Sequence, residues 1–146
     1  MNDLRIEAVA DEASLLDWRF VHNAIIPTAA LSFAEVTERA GRNRLCVAYA
    51  GDVLVGCSTV RPPGADRPVG TVIARILPGH RGRGFGGQLY AHGLELARAL
   101  GAEVIETCVL ESNPEGLRFA LRNGFVETER YVLPGDTVPF IDLRLG

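Results

Sequence analysis

The chain has 146 residues and a mass of 15.8 kDa, the size of one domain spanning 1–146. Its 47% hydrophobic and 23% charged residues give the balance of a soluble globular protein that builds a core without disulfide or metal staples. The net charge of −3 argues against bulk nucleic-acid or anionic-membrane binding.

All fifteen basic residues are Arg, which excludes a P-loop phosphate lysine and a pyridoxal Schiff base. No apolar stretch reaches the roughly 18 residues of a membrane span. The start, MNDLRIEAVADE, is acidic rather than signal-like, so the expected location is the cytoplasm, with neither a membrane nor a nucleic-acid partner.

Residues 3–9 read as a first strand. A helix follows from about Asp11, with Leu15, Leu16, Trp18, Phe20 and Val21 as a broad apolar face, and stops before Pro27. Ser32-Phe33-Ala34-Glu35 is a capping box that opens a short helix closing at Gly41. Two apolar runs, 44–50 and 53–61, flank the hairpin turn Gly51-Asp52. After a loop at 62–68 come a strand at 70–77, a glycine-rich turn, and a helix to about Leu100 with Gly101 past its end. Residues 102–110 form a further strand. Asn113-Pro114-Glu115 starts a helix that ends at Gly124, and two strands at 125–133 and 138–145 flank the Pro134-Gly135-Asp136 turn. This order predicts an α/β (α+β) fold with a mixed, mostly antiparallel sheet of about seven strands and helices on both faces.

Cys46, Cys57 and Cys108 lie inside apolar strands, as small hydrophobes do. His22, His80 and His92 lack metal-ligand spacing, so no metal is expected.

The segment from Ile76 to Gly87 joins a strand to a helix and holds five glycines in the nine residues 79–87. Unpaired amides at a helix start favour an anion, glycines let a pyrophosphate approach, and Arg81 and Arg83 add charge. Two ligands suit such a loop. Gly82-x-Gly84-x-x-Gly87, with Glu106 about twenty residues on, satisfies a dinucleotide fingerprint. However, the hairpin-rich sequence before it does not suit that fold.

Arg81-x-x-Gly84-x-Gly86 after a strand ending at Pro78, with Asn113 opening a helix that ends in Asn123-Gly124-Phe125, resembles the GNAT N-acetyltransferase superfamily over nearly the whole chain. The resemblance implies the acyl-CoA N-acyltransferase fold and acetyl-CoA as cosubstrate. By that resemblance the pantetheine arm pairs with Ala74, Arg75 and Ile76. The pyrophosphate lies on the amides of Gly82, Arg83, Gly84, Phe85, Gly86 and Gly87 beside Arg81, and Asn113 faces the cofactor.

Members of that family let an amine attack the thioester directly. Freeing an alkyl amine of pKa about 10.4 at neutral pH costs roughly 4–5 kcal/mol, whereas a thiol of pKa about 8.5 leaves with less help. The resemblance places Ala120 where many members carry a Tyr acid, and Cys108 and Gly70 where some carry a Glu. The catalytic candidates left are Glu111, Tyr131 and Glu106, with His80 and Cys108 behind them. Arg75, a charge inside an apolar strand, must reach either an acid or the site mouth. The expected activity is acetyl transfer to a primary amine of a small molecule or peptide. A sensor domain that binds acyl-CoA with little turnover is the alternative. A homodimer through residues 125–145 is expected from the exposed edge that late strands leave.

Overall fold

Local side-chain chemistry sets the helix boundaries in the computed structural model, which describes residues 4–145. The first residue of the expected 3–9 strand and the two ends of the 1–146 domain lie outside them. Strand β1 (Arg5–Ala8) leads to helix α1 (Glu12–Ile25). Asp11 accepts the Ser14 N–H at 2.9 Å and the Ser14 hydroxyl accepts the Asp11 N–H at 3.1 Å, a reciprocal cap. The expected box at Ser32 and Glu35 starts α2 (Phe33–Arg42) in the same way. Strands β2 (Arg44–Ala50), β3 (Val53–Arg61) and β4 (Val69–Ile76) follow, then α3 (Phe85–Ala99), β5 (Val104–Leu110), α4 (Pro114–Arg122), β6 (Phe125–Tyr131) and β7 (Phe140–Leu145). Asn113 caps α4 by accepting the Gly116 N–H at 3.1 Å, with Pro114 in the first helical position.

The seven strands form one sheet in the order β1-β2-β3-β4-β5-β7-β6. Among the described residues only β4 and β5 run parallel; the other neighbours are antiparallel. The last strand is therefore inserted between β5 and β6, and this order rules out the dinucleotide-type sheet.

Helices α3 and α4 cover one face, where Tyr90, Ala97 and Ala120 pack on Val60, Val72, Ile105, Ile141 and Leu143. On the other face α1 and α2 set Trp18, Val21 and Val36 against Leu45, Val47 and Cys57. The Trp18 indole donates to the Ser58 carbonyl at 3.0 Å and stacks on His22 at 5.1 Å. Gly93 has a packing role: a Cβ there would stand 2.5 Å from Val72 Cγ1, so α3 can lie directly on β4 only because position 93 is glycine.

Two expectations need correction. The apolar face of α1 is narrower than its composition suggests: Trp18 and Val21 are buried, but Leu16 and Phe20, one turn apart, point outward with 44% and 60% exposure. The strand from residue 125 ends at Tyr131 and buries only Phe125, leaving a polar edge in place of an apolar one.

Candidate functional site: a cleft where two parallel strands part

The sheet opens in its middle. Strands β4 and β5 pair over three rungs only, Val69–Thr71 against Val104–Glu106. Above them the β5-facing backbone of Val72 to Ile76 has no strand partner. This opening is continuous with the glycine loop and forms a cleft of about 720 Å³. Its walls include Ala74, Arg75 and Ile76 of β4, Thr107 to Leu110 of β5, the loop from His80 to Gly87, and Asn113, Phe119 and Ala120 of the α4 segment.

At the mouth the loop behaves as its sequence predicts. Gly82 and Gly84 have φ of 82° and 81°, a left-handed conformation that costs glycine nothing. Gly84 caps α3 without a side chain. Among the described residues the N–H groups of Gly82 to Gly87 make no hydrogen bond. The space beside Gly82, Gly84 and Gly87 is open. These amides form a positive, unsatisfied helix start that fits a pyrophosphate.

Arg81 is more engaged than its sequence suggests. Its Nε donates to the Ile76 carbonyl at 2.8 Å and its guanidinium pairs with Glu115 at 2.7 Å, tying the end of β4 to α4 across the mouth. Arg83 is exposed. Asn113 spends its side-chain oxygen on the helix cap while lining the cleft.

The three catalytic candidates fall in different places. Glu106 is paired with Arg144 at 2.9 Å and Glu111 with Arg130 at 3.1 Å. The Tyr131 hydroxyl donates to Asp142 at 3.0 Å. Asp142 lies opposite Cys108 in the β5–β7 register. Burial, then the Asp142 charge, pushes the Cys108 thiol up to about 11, which keeps it a neutral thiol. Burial also raises the Tyr131 phenol above its ordinary value. Cys46 and Cys57 are buried as expected, but Cys108 is half-buried in the cleft wall. His80 lines the cleft at the loop. Gly70 is buried on the α3 face, where a Cβ would meet Ala102 at 2.9 Å, so that position offers no room for a Glu.

Three functional candidates escaped the sequence reading. Tyr90 lines the cleft from α3 beside Thr107, its hydroxyl buried without a well-formed hydrogen bond among the described residues. The inward rhythm Phe85, Leu89, Tyr90, Gly93, Ala97 is its sequence signal. Asp142 sits between Ile141 and Leu143, both buried in the core, so β-alternation turns it to the opposite face. His22 is buried between α1 and the sheet. Burial, reinforced by Arg75 and Arg39, lowers it to about 4, so it is neutral at pH 7.

Among the described residues, no group of three or more His, Cys, Asp or Glu is arranged to hold a metal, and no helix is long and apolar enough to cross a membrane.

A split parallel pair below a glycine helix start, in a seven-stranded mixed sheet, is the architecture of the acyl-CoA N-acyltransferase (GNAT) fold. The profile of the acetyltransferase (GNAT) family matches residues 11–125, and the chain belongs to that family. Solved structures agree on the fold. A protein provisionally assigned as a phosphinothricin N-acetyltransferase superposes with a TM-score of 0.80 at 18% identity, over 98% of both chains. One from Salmonella typhimurium, provisionally assigned as an acetyltransferase and solved with its cofactor acetyl-CoA, gives 0.73 at 19%, covering 97% of this chain and 92% of that one. A Bacillus subtilis acetyltransferase in complex with CoA gives 0.72 at 23%, over 98% of both. No curated protein matches the sequence significantly.

Proposed function

We propose that the chain is an acetyl-CoA-dependent N-acetyltransferase that acts on a primary amine. The observation that carries this reading is the continuity of the cleft: the free amides of Gly82 to Gly87 lead straight into the opening between β4 and β5. Bound there, acetyl-CoA supplies an activated thioester. The loop amides hold its pyrophosphate, and the unpaired edge of β4 offers donors to the arm and to the carbonyl oxygen as it gains charge.

The amine reaches the thioester from the α1 side of the sheet. A C–N bond forms, the C–S bond breaks, and the amine loses a proton. Asp142 is the carboxylate best placed to take that proton, directly or through water, because Glu106 and Glu111 are held by Arg144 and Arg130. Ala120 can donate nothing to the departing sulfur. The Tyr90 hydroxyl, from the opposite helix, supports that step instead. Its elevated pKa keeps the proton in place to be donated.

The test is thiol release from acetyl-CoA over a panel of amines, followed from pH 6 to 9. Release should depend on the acceptor and rise with pH as the amine is freed. Tight acetyl-CoA binding with no release from any acceptor would overturn this reading in favour of the sensor.

A further inference from the structure

The α1-facing side of β4 carries a charge that the proposed reaction does not use. Arg75 stands opposite Cys57 in the β3–β4 register and lines the cleft. Among the described residues its guanidinium has neither a carboxylate nor a hydrogen-bond partner, although it is half-buried in the cleft wall. A half-buried cation without a counter-ion gives up part of its hydration with nothing in the protein to replace it. Here the surroundings worsen the imbalance: Arg39 of α2 and Arg61 of β3 are close enough to repel Arg75. His22 beside them is neutral.

The acids nearby are committed elsewhere. Glu35 holds the α2 cap through the Ser32 N–H at 2.9 Å, and Glu38 pairs with Arg42 at 2.8 Å. Arg75 therefore faces the cleft with no anion to neutralise it, and Arg39 and Arg61 add like charge in its surroundings. Across the opening, at Cys108, stands the Asp142 carboxylate. The two sides are polarised in opposite senses, cationic on β4 and anionic on β7.

We propose that Arg75, backed by Arg39 and Arg61, binds an anionic oxygen group on the acceptor, so the molecule acetylated is a small amino-bearing anion rather than a simple amine. This rests on the reading of the cleft as an acetyl-transfer site. The planar fork of Arg75 suits a carboxylate or a phosphonate equally. With that group on β4, the amine of the same molecule points toward Asp142 and across the place where the strands part.

The experiment measures thiol release with three acceptor sets: methionine and other α-amino acids, the decarboxylated amine of each (3-methylthiopropylamine for methionine), and aminoalkylphosphonates. The best anionic acceptor should exceed its uncharged-tail counterpart by about 100-fold in kcat/KM, the scale of one buried charge pair. Whether carboxylates or phosphonates lead identifies the natural group. Arg75→Gln, which keeps the β4 backbone that faces the arm of acetyl-CoA, should remove most of that preference by raising KM for the anionic acceptors far more than for the decarboxylated amines. If Arg75→Gln does not fold, Arg39→Gln should still lower the anionic acceptor about tenfold and spare the amine.

Equal or better turnover of the decarboxylated amines, or an equal loss for both classes in the variants, would overturn the proposal and leave acetyl transfer standing. No release from any acceptor would overturn both.

Discussion

The two sides of the cleft are built by different means. The cofactor side is made of backbone: free amides from Gly82 to Gly87, an uncapped helix start, and a strand edge without a partner. The facing wall is made of side chains brought together from different strands and helices: Arg75 of β4, Thr107 and Cys108 of β5 and Tyr90 of α3, with Asp142 beside Cys108 in the sheet. Backbone groups bind whatever shape the chain follows, so that wall can be shared by chains of low identity. Side chains can be exchanged one at a time, so the acceptor wall carries what is particular to this protein.

Five substitutions would break or sharpen that contrast. The largest effect should come from the backbone wall. Gly84→Asp forces a side chain into a left-handed position and sets a negative charge against the phosphates, so acetyl-CoA affinity should fall by about 100-fold or more. Calorimetry on the folded variant checks this, and an unchanged affinity would remove the loop from the site.

On the other wall, Asp142→Asn should leave acetyl-CoA affinity intact and cut kcat by about 100-fold at pH 7. A loss confined to KM would instead make Asp142 a binding residue. Tyr90→Phe should cost about tenfold in kcat, less than the base, because a thiol is the easier leaving group. Ala120→Tyr tests the same step from the family's usual position. That site is buried against Tyr90 and Phe125, however, so the added ring should cost about 1–3 kcal/mol of stability and lower the melting temperature.

The smallest effect concerns pH. His22 is lowered to about 4 in the fold and returns to about 6.5 when unfolded. Above pH 6.5 both states are neutral. As pH falls toward 4 the unfolded chain takes up the proton first, so stability is lost across that window, at most about 1.4 kcal/mol per pH unit. His22→Phe, which keeps the stack on Trp18, should flatten that part of a denaturation-versus-pH series. A curve identical to the parent would mean that His22 is not held neutral.

Legibility in the sequence followed the same division. Asp11, Ser32 with Glu35, Gly51-Asp52 and Asn113-Pro114 act through neighbours within four residues, so each boundary could be read directly. The glycine loop was legible for the same reason. The insertion of β7 between β5 and β6 depends on which hydrophobic faces meet, and no local signal encodes it. That insertion is what places Asp142 opposite Cys108. Arg75 looked anomalous in the sequence, but its lack of an acid partner shows only once β3, α1 and α2 are assembled around it. Phe20 lies outside the buried stripe of α1, whose width helical composition does not encode.

The arginine-built wall has a chemical consequence. Any primary amine lining a pocket that holds an activated thioester is itself a nucleophile, and a lysine at position 75 would compete with the guest for the acyl group. A guanidinium stays protonated and does not acylate under such conditions. This chain, with no lysine anywhere, offers a charged surface that attracts without reacting. Intact-mass measurement after prolonged incubation with acetyl-CoA should therefore show its lining unmodified, a catalyst that cannot consume its own reagent through its side-chain amines.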